Sequence, residues 1–276
     1  MAILTVGKEN SADTQLYYED RGSGKPVVLV HGWPLSGGSW ERQSAALLAA
    51  GYRVVTYDRR GFGRSSAPTD GYDYDTLAGD TNKLIETLDL QDATLIGFSM
   101  GGGEVARYMG KYNAGRVTKA VFISSIAPAL RKDGRNPDGA DPAVFEQIKG
   151  MIEKDRYDFL QTFVKNFYNY KLLSHAVSEG KLQADFNVAA QSSYQAMLFC
   201  VDAWLEDFRA DVKQIQVPTL VIHGDADGIV PLEVSGGRMP GLIPSAKLHV
   251  VEGGPHGLIW THAAEVNRAL LTFLHG

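Results

Sequence analysis

Apolar residues recur along the chain in two periods. Short runs that are apolar almost throughout, such as Val27-Val28-Leu29-Val30, Ala120-Val121-Phe122-Ile123 and Thr219-Leu220-Val221-Ile222, read as strands covered by helices on both faces. Strands are expected at Ile3 to Val6, Gln15 to Asp20, Pro26 to His31, Arg53 to Tyr57, Ala93 to Phe98, Val117 to Ser124, Thr219 to His223 and Lys247 to Val251. The first two alternate apolar and polar positions and read as an antiparallel edge. Between the strands lie longer segments of helical period: Ser39 to Ala50, Asp75 to Leu88, Met100 to Tyr112, Leu232 to Gly241 and His262 to Leu274. The last sets Val266, Ala269, Leu270, Phe273 and Leu274 on one stripe, as in a helix packed on a sheet. Strand and helix in alternation predict an α/β fold with a mostly parallel, eight-stranded sheet.

The alternation stops between Pro128 and Gln216. A polar loop, Arg131 to Gly139, opens into helical pattern without strands, and this stretch holds twelve of the aromatic residues, Phe145 to Phe208. Strand pattern resumes at Val217-Pro218-Thr219. Residues 1–127 and 217–276 are therefore expected to form one core domain, with 128–216 inserted as a helical cap. Most of its aromatics would form the cap's own core, and a few would face a site beneath it.

Composition narrows the partners. Lys and Arg number 27 against 32 Asp and Glu, a net charge of −5. Without clustered positive charge, neither nucleic acid nor an anionic membrane is expected as a partner. No apolar run reaches the roughly 18 to 20 residues that cross a bilayer. The N-terminus lacks the charged head and long apolar stretch of an export signal, and the lone Cys200 has no disulfide partner. A cytoplasmic protein is expected. No His-Glu-x-x-His or paired-Cys spacing suggests a metal.

The chemistry sits at strand ends. Gly97-Phe98-Ser99-Met100-Gly101 lies between an apolar strand and a helical segment, the context of a nucleophile elbow whose glycines permit a tight turn. A serine hydroxyl needs a base, and the base a third group to orient it. Of the seven histidines, His256 lies in the loop Glu252-Gly253-Gly254-Pro255-His256-Gly257 after the last strand, on the sheet edge where Ser99 opens. His31 and His223 end strands as His-Gly pairs and read as structural, as does His249 within a strand; His175 falls in the cap, and His262 and His275 in or beyond the last helix. For the acid, His223-Gly224-Asp225-Ala226-Asp227 offers two carboxylates. Asp227 is preferred, with Asp225 read as a turn residue. Backbone N–H groups of Met100 and Trp33 are the expected oxyanion donors; Pro34 cannot donate and biases Trp33 towards an extended conformation.

These strings, together with Tyr57-Asp58-Arg59-Arg60-Gly61-Phe62-Gly63-Arg64-Ser65-Ser66, resemble the α/β-hydrolase superfamily across essentially the whole chain. The resemblance is to the bacterial branch that holds aryl esterases, cofactor-free haloperoxidases (perhydrolases) and a γ-lactamase. It implies Ser99, Asp227 and His256 as the triad, Trp33 and Met100 as oxyanion donors, and chemistry without metal or organic cofactor. It further implies that Pro34, by turning the Trp33 carbonyl towards bound peroxide, favours perhydrolysis; the alternative is a proline that only stiffens the loop. Self-association as a homo-oligomer is also implied by resemblance. Expected partners are small molecules: an ester, a lactam, or a carboxylate with hydrogen peroxide.

The substrate pocket is expected between Trp33, Pro34, Met100, Ile229 and Leu258 on the core side and Leu130, Phe163, Phe167 and Phe199 from the cap. Short-acyl esters would fit it, with cyclic amides as the alternative substrate. Ser99 excludes the alkyl-enzyme chemistry of relatives with Asp at the elbow, whereas carbon–carbon hydrolases and thioesterases share the serine. A non-catalytic receptor on the same fold is the reading from a different class.

Overall fold

The computed structural model describes residues 2–112, 115–170 and 177–276, and His175 lies outside them. Strands β1 (Ala2–Glu9) and β2 (Ala12–Arg21) form a hairpin that turns at Asn10, whose φ is +51°. They precede β3 (Pro26–Val30), β4 (Arg53–Tyr57), β5 (Ala93–Phe98), β6 (Val117–Ile123), β7 (Thr219–Gly224) and β8 (Ala246–Val251). One eight-stranded sheet results, in the order β1-β2-β4-β3-β5-β6-β7-β8. Every pair from β4 to β8 is parallel, and β2 runs against both its neighbours.

Side chains along a strand point alternately to its two faces, so a wholly apolar strand supplies two cores at once. Val27 and Leu29 of β3 pack with Ile96, Ile222, Leu47 of α1 (Glu41–Ala49) and Val266 and Leu270 of α9 (Ala263–His275). Val28 and Val30 turn to the other face. There they join Leu95 and Phe122, with Leu77 and Leu84 of α2 (Tyr74–Thr87) and Val105 and Tyr108 of α3 (Met100–Lys111).

Residues 128–216 hold four helices between β6 and β7: α4 (Pro142–Phe167), α5 (Glu179–Ala190), α6 (Tyr194–Ala203) and α7 (Arg209–Val212). Asp141 caps α4 by accepting from Ala143 N, with Pro142 at the first turn. The helix is kinked at Asp155, where φ is −162° and ψ 96°, and the Asp155 carboxylate accepts from Tyr157 N and Asp158 N to start the second half. Helices α5 and α6 pack on α4, whereas α7 packs on α3 of the sheet layer.

Two expectations change. Leu232 to Gly241 is not an α-helix but two 3-10 turns, Leu232–Val234 and Gly236–Gly241. Gly236 and Gly237 weaken helix formation, and Pro240 has no N–H to give. A one-turn helix, α8 (Leu258–Thr261), also precedes α9, because the loop carrying His256 closes straight into it.

Beneath the strand ends lies a buried ion pair. Arg59 Nε donates to Glu104 Oε2 at 2.8 Å, both side chains being 1% exposed, and Arg59 Nη2 donates to His31 O at 2.8 Å. The guanidinium thus ties α3, which begins beside Ser99, to the loop after β3. Arg59→Met leaves the Glu104 charge without its cation in a dry core, and we expect it to cost about 3–5 kcal/mol of stability. Urea unfolding measures this directly; a loss below ~1 kcal/mol contradicts it.

Candidate active site

The register pairs Val30 with Gly97, Phe98 with Ile123, Ile123 with Ile222 and Gly224 with Val251, so five parallel strands end on one edge. Ser99 follows β5 there with φ +55° and ψ −119°, a backbone region that L-residues rarely adopt. The flanking glycines make the turn physically possible. A Cβ on Gly97 would meet Gly101 O at 2.3 Å, and one on Gly101 would meet Val30 O at the same distance. Gly32 is as confined, because a Cβ there would lie 3.1 Å from Ser99 Cβ. The loop carrying Trp33 therefore runs against the elbow.

Ser99 Oγ lies 2.9 Å from His256 Nε2, and His256 Nδ1 lies 2.8 Å from Asp227 Oδ2. The other carboxylate oxygen of Asp227 accepts from Ile229 N at 3.0 Å and Val230 N at 2.8 Å. Asp225 instead accepts from Gly253 N at 2.7 Å and fastens one loop to the next. Burial alone would raise the Asp227 carboxyl, but the charge and hydrogen bond of His256, with His223 Nε2 3.4 Å away, outweigh it and hold the carboxyl below the usual carboxylate range. Phe98 and Phe167 flank the His256 ring, with centroids 5.2 and 5.0 Å away. An array of this kind can take the serine proton as its oxygen attacks a carbonyl.

Ser99 and His256 open into a cavity of about 350 Å³. Trp33 stands in it against Trp204, Phe163 and Phe159, with ring centroids 4.9, 5.1 and 6.2 Å away. Among the described lining residues, Asp138 and His256 are the only ones with a titratable acid or base, and none is Lys or Arg. A larger groove of about 760 Å³ lies at the opposite end of the sheet, against α9. It holds Lys119, Lys247 and Arg268 but no part of the serine array, so chemistry selects the smaller cavity over the larger.

The alpha/beta hydrolase fold family matches residues 25–263 of the 276. The chain belongs to the α/β-hydrolase family. It is similar to a solved bromoperoxidase from Bacillus anthracis, at 49% identity and a TM-score of 0.96 over 100% of this chain and 99% of that one. It is 41% identical to a non-heme chloroperoxidase, CPO-A1, from Kitasatospora aureofaciens, covering 95% of this chain and 96% of the relative. It is 37% identical to the bifunctional esterase/perhydrolase DCH of Acinetobacter calcoaceticus, covering 94% and 95%.

Against this α/β-hydrolase frame, the expected pocket residues divide. Trp33, Leu130, Phe163 and Ile229 line the cavity. Phe167 packs on the His256 ring, and with Pro34 it borders a separate small void behind the site. Leu258 is fully buried in the core beneath α9. Phe199 is 44% exposed and leans on Tyr72 outside the cavity. Met100 is buried directly after Ser99, and Tyr74 OH donates to its carbonyl at 3.0 Å.

Sequence reasoning missed Ile126, Asp138, Phe145, Phe159, Trp204 and Val234 among the lining residues. Phe159 had a signal, since it stands one helical turn before Phe163 and so shares its face. Trp204 and Asp138 had none, because each arrives from a connection whose path is set by packing. Cys200 is buried, and burial pushes its thiol up to about 12, so it stays protonated and unreactive.

Proposed function

We propose that this α/β-hydrolase cleaves small carboxylic esters through an acyl-enzyme on Ser99, and that the same intermediate supports perhydrolysis. The observation that carries this is the relay from Ser99 Oγ through His256 to Asp227 on the wall of an apolar cavity. His256 takes the Ser99 proton as Oγ attacks the ester carbonyl, and Asp227 stabilises the resulting imidazolium. The backbone N–H groups of Trp33 and Met100 receive the oxyanion. His256 then protonates the leaving alcohol, and water, activated by His256, releases the acid. Hydrogen peroxide in place of water gives a peracid and restores the Ser99 hydroxyl. The peracid oxidises halide in solution, which fits the haloperoxidase names of relatives.

A cavity of about 350 Å³ with aromatic walls and no cation suits short acyl groups with aryl, cyclic or alkyl alcohols. The exposed Asp138 carboxylate at its edge adds a repulsion against anionic substrates. We read helices α4 to α6 as the cap that supplies Phe145, Phe159 and Phe163. The names of the relatives favour ester over cyclic amide cleavage, and a complete serine array favours an enzyme over a receptor. Among the described residues no helix is long and apolar enough to cross a membrane, and the free, buried Cys200 supports a reaction in the cytoplasm.

The test is a substrate panel on the wild type: p-nitrophenyl esters of rising chain length, a bicyclic γ-lactam, and acetate with peroxide, bromide and a halogen-acceptor dye. Rates highest on acetyl or propionyl esters, with dye bromination, support the reading. A preference for long-chain lipids or for the lactam overturns it. Pro34 bears on the balance of the two outcomes, because it follows the residue whose carbonyl and N–H edge the oxyanion site. Pro34→Leu is expected to lower the ratio of perhydrolysis to hydrolysis by about tenfold, that is by ~1.4 kcal/mol of relative barrier. An unchanged ratio means that Pro34 only stiffens its loop.

A further inference from the structure

His223, set aside in the sequence as a structural residue, places a second imidazole beside the acid. It is fully buried near the end of β7, four residues before Asp227. Its Nε2 lies 2.8 Å from Val230 O and 3.4 Å from Asp227 Oδ2, the oxygen that also faces His256 Nδ1. A carbonyl only accepts, so Nε2 carries the proton. The opposite nitrogen, Nδ1, is then a bare lone pair, and it has no hydrogen-bond partner among the described residues. Gly236 closes that side so tightly that a Cβ there would come within 2.4 Å of Nδ1.

An unpaired buried nitrogen is a cost to folding, and an apolar side chain of similar size would avoid it. The imidazole is therefore best understood by what its paired side does. Val230, whose carbonyl accepts from His223, donates its own N–H to Asp227 Oδ1 at 2.8 Å. His223 consequently holds Asp227 twice, once through the turn that cradles Oδ1 and once by facing Oδ2. Gly228 to Pro231, the same turn, forms one wall of the cavity.

We infer that His223 is a positioning residue for the acid, donating from Nε2 to the Val230 carbonyl and towards Asp227 Oδ2 so that the carboxylate keeps one orientation towards His256. The inference rests on the triad reading above. Its consequence has a definite sign. A polarised N–H 3.4 Å from Oδ2 makes the carboxylate less basic, and so limits how strongly it stabilises protonated His256. Loss of that donor makes the carboxylate more basic, favours the imidazolium, and moves the acid limb of kcat/KM to higher pH.

The experiment compares wild type, His223→Leu and His223→Gln, with Ser99 labelling by a fluorophosphonate as the control for the triad. His223→Leu is expected to lower kcat about tenfold and raise the acid limb by about half a pH unit, with KM for p-nitrophenyl acetate within about twofold. His223→Gln, which keeps an N–H at similar reach, restores most of both. The low-field proton resonance of His256 Nδ1–H should move in the Leu variant and return in Gln. Should the Leu variant not fold, His223→Asn, whose shorter amide falls short of Val230, replaces it with the same expectations. A folded variant that keeps the wild-type acid limb and resonance overturns the inference, as does a Gln variant no better than Leu or Asn. Absence of fluorophosphonate labelling in the wild type instead overturns the triad reading.

Discussion

Ser99→Ala is expected to lower kcat/KM for p-nitrophenyl acetate by about 10⁴-fold or more, to abolish fluorophosphonate labelling, and to leave the fold intact. The rate falls because the only atom removed is the one 2.9 Å from His256 Nε2, and no acyl-enzyme can form without it. The fold survives for an equally specific reason. Ser99 sits at φ +55° in a turn for which Gly97, Gly101 and Gly32 leave room, and alanine carries no more bulk at Cβ than serine. Thermal unfolding should therefore shift by no more than about 0.5 kcal/mol. Perhydrolysis should fall in step with hydrolysis, since both pass through one intermediate. Dye bromination that persists in Ser99→Ala would show that peracid arises elsewhere, and undiminished ester cleavage would remove Ser99 from the mechanism.

Asp227→Asn is expected to lower kcat by about 10⁴-fold, through the tautomer of His256. The Oδ1 position faces two backbone donors, Ile229 N and Val230 N, so an asparagine places its carbonyl oxygen there and its NH₂ towards His256. An NH₂ facing Nδ1 requires Nδ1 to accept, which puts the ring proton on Nε2. Nε2 then donates towards Ser99 when it should be accepting from it. The variant also tests the electrostatics. The folded Asp227 carboxyl lies below its unfolded value of about 3.9, so ionised Asp227 stabilises the protein above that pH and the contribution is lost as pH falls towards the folded value. Wild-type stability should therefore drop more steeply than that of Asp227→Asn below about pH 4. A kcat loss under tenfold, or parallel acid unfolding curves, would contradict this account.

Much of the site was legible because its signals are local. Gly97-Phe98-Ser99-Met100-Gly101 between an apolar strand and a helix names its own backbone geometry, and the chain order Ser99, Asp227, His256 follows from three loops that each leave the same edge of a parallel sheet. The pocket was less legible. Phe167 and Phe163 are one helical turn apart on α4, yet Phe163 meets Trp33 in the cavity while Phe167 meets His256 behind it. Their difference lies in how the kinked α4 crosses the strand ends, which no pattern within α4 records.

His223 makes the contrast sharper. By sequence it is a strand-ending histidine before glycine, equivalent to His31. In three dimensions His31 is satisfied on both ring nitrogens, by Gly32 O and Arg59 N, whereas His223 has one nitrogen orphaned and the other turned to the acid. The eight strands, the elbow, and Ser99, Asp227 and His256 as candidates could be read from the sequence, because backbone hydrogen bonding, glycine turns and side-chain periodicity act over a few residues. Packing settles which aromatics wall the cavity, that Asp138 stands at its edge, and that His223 reaches Asp227. The first two depend on distances between residues far apart in the chain; the third spans only four residues, but the turn that makes it is held in place by His256 and Gly236 from later loops, so all three are set by packing rather than by any local pattern.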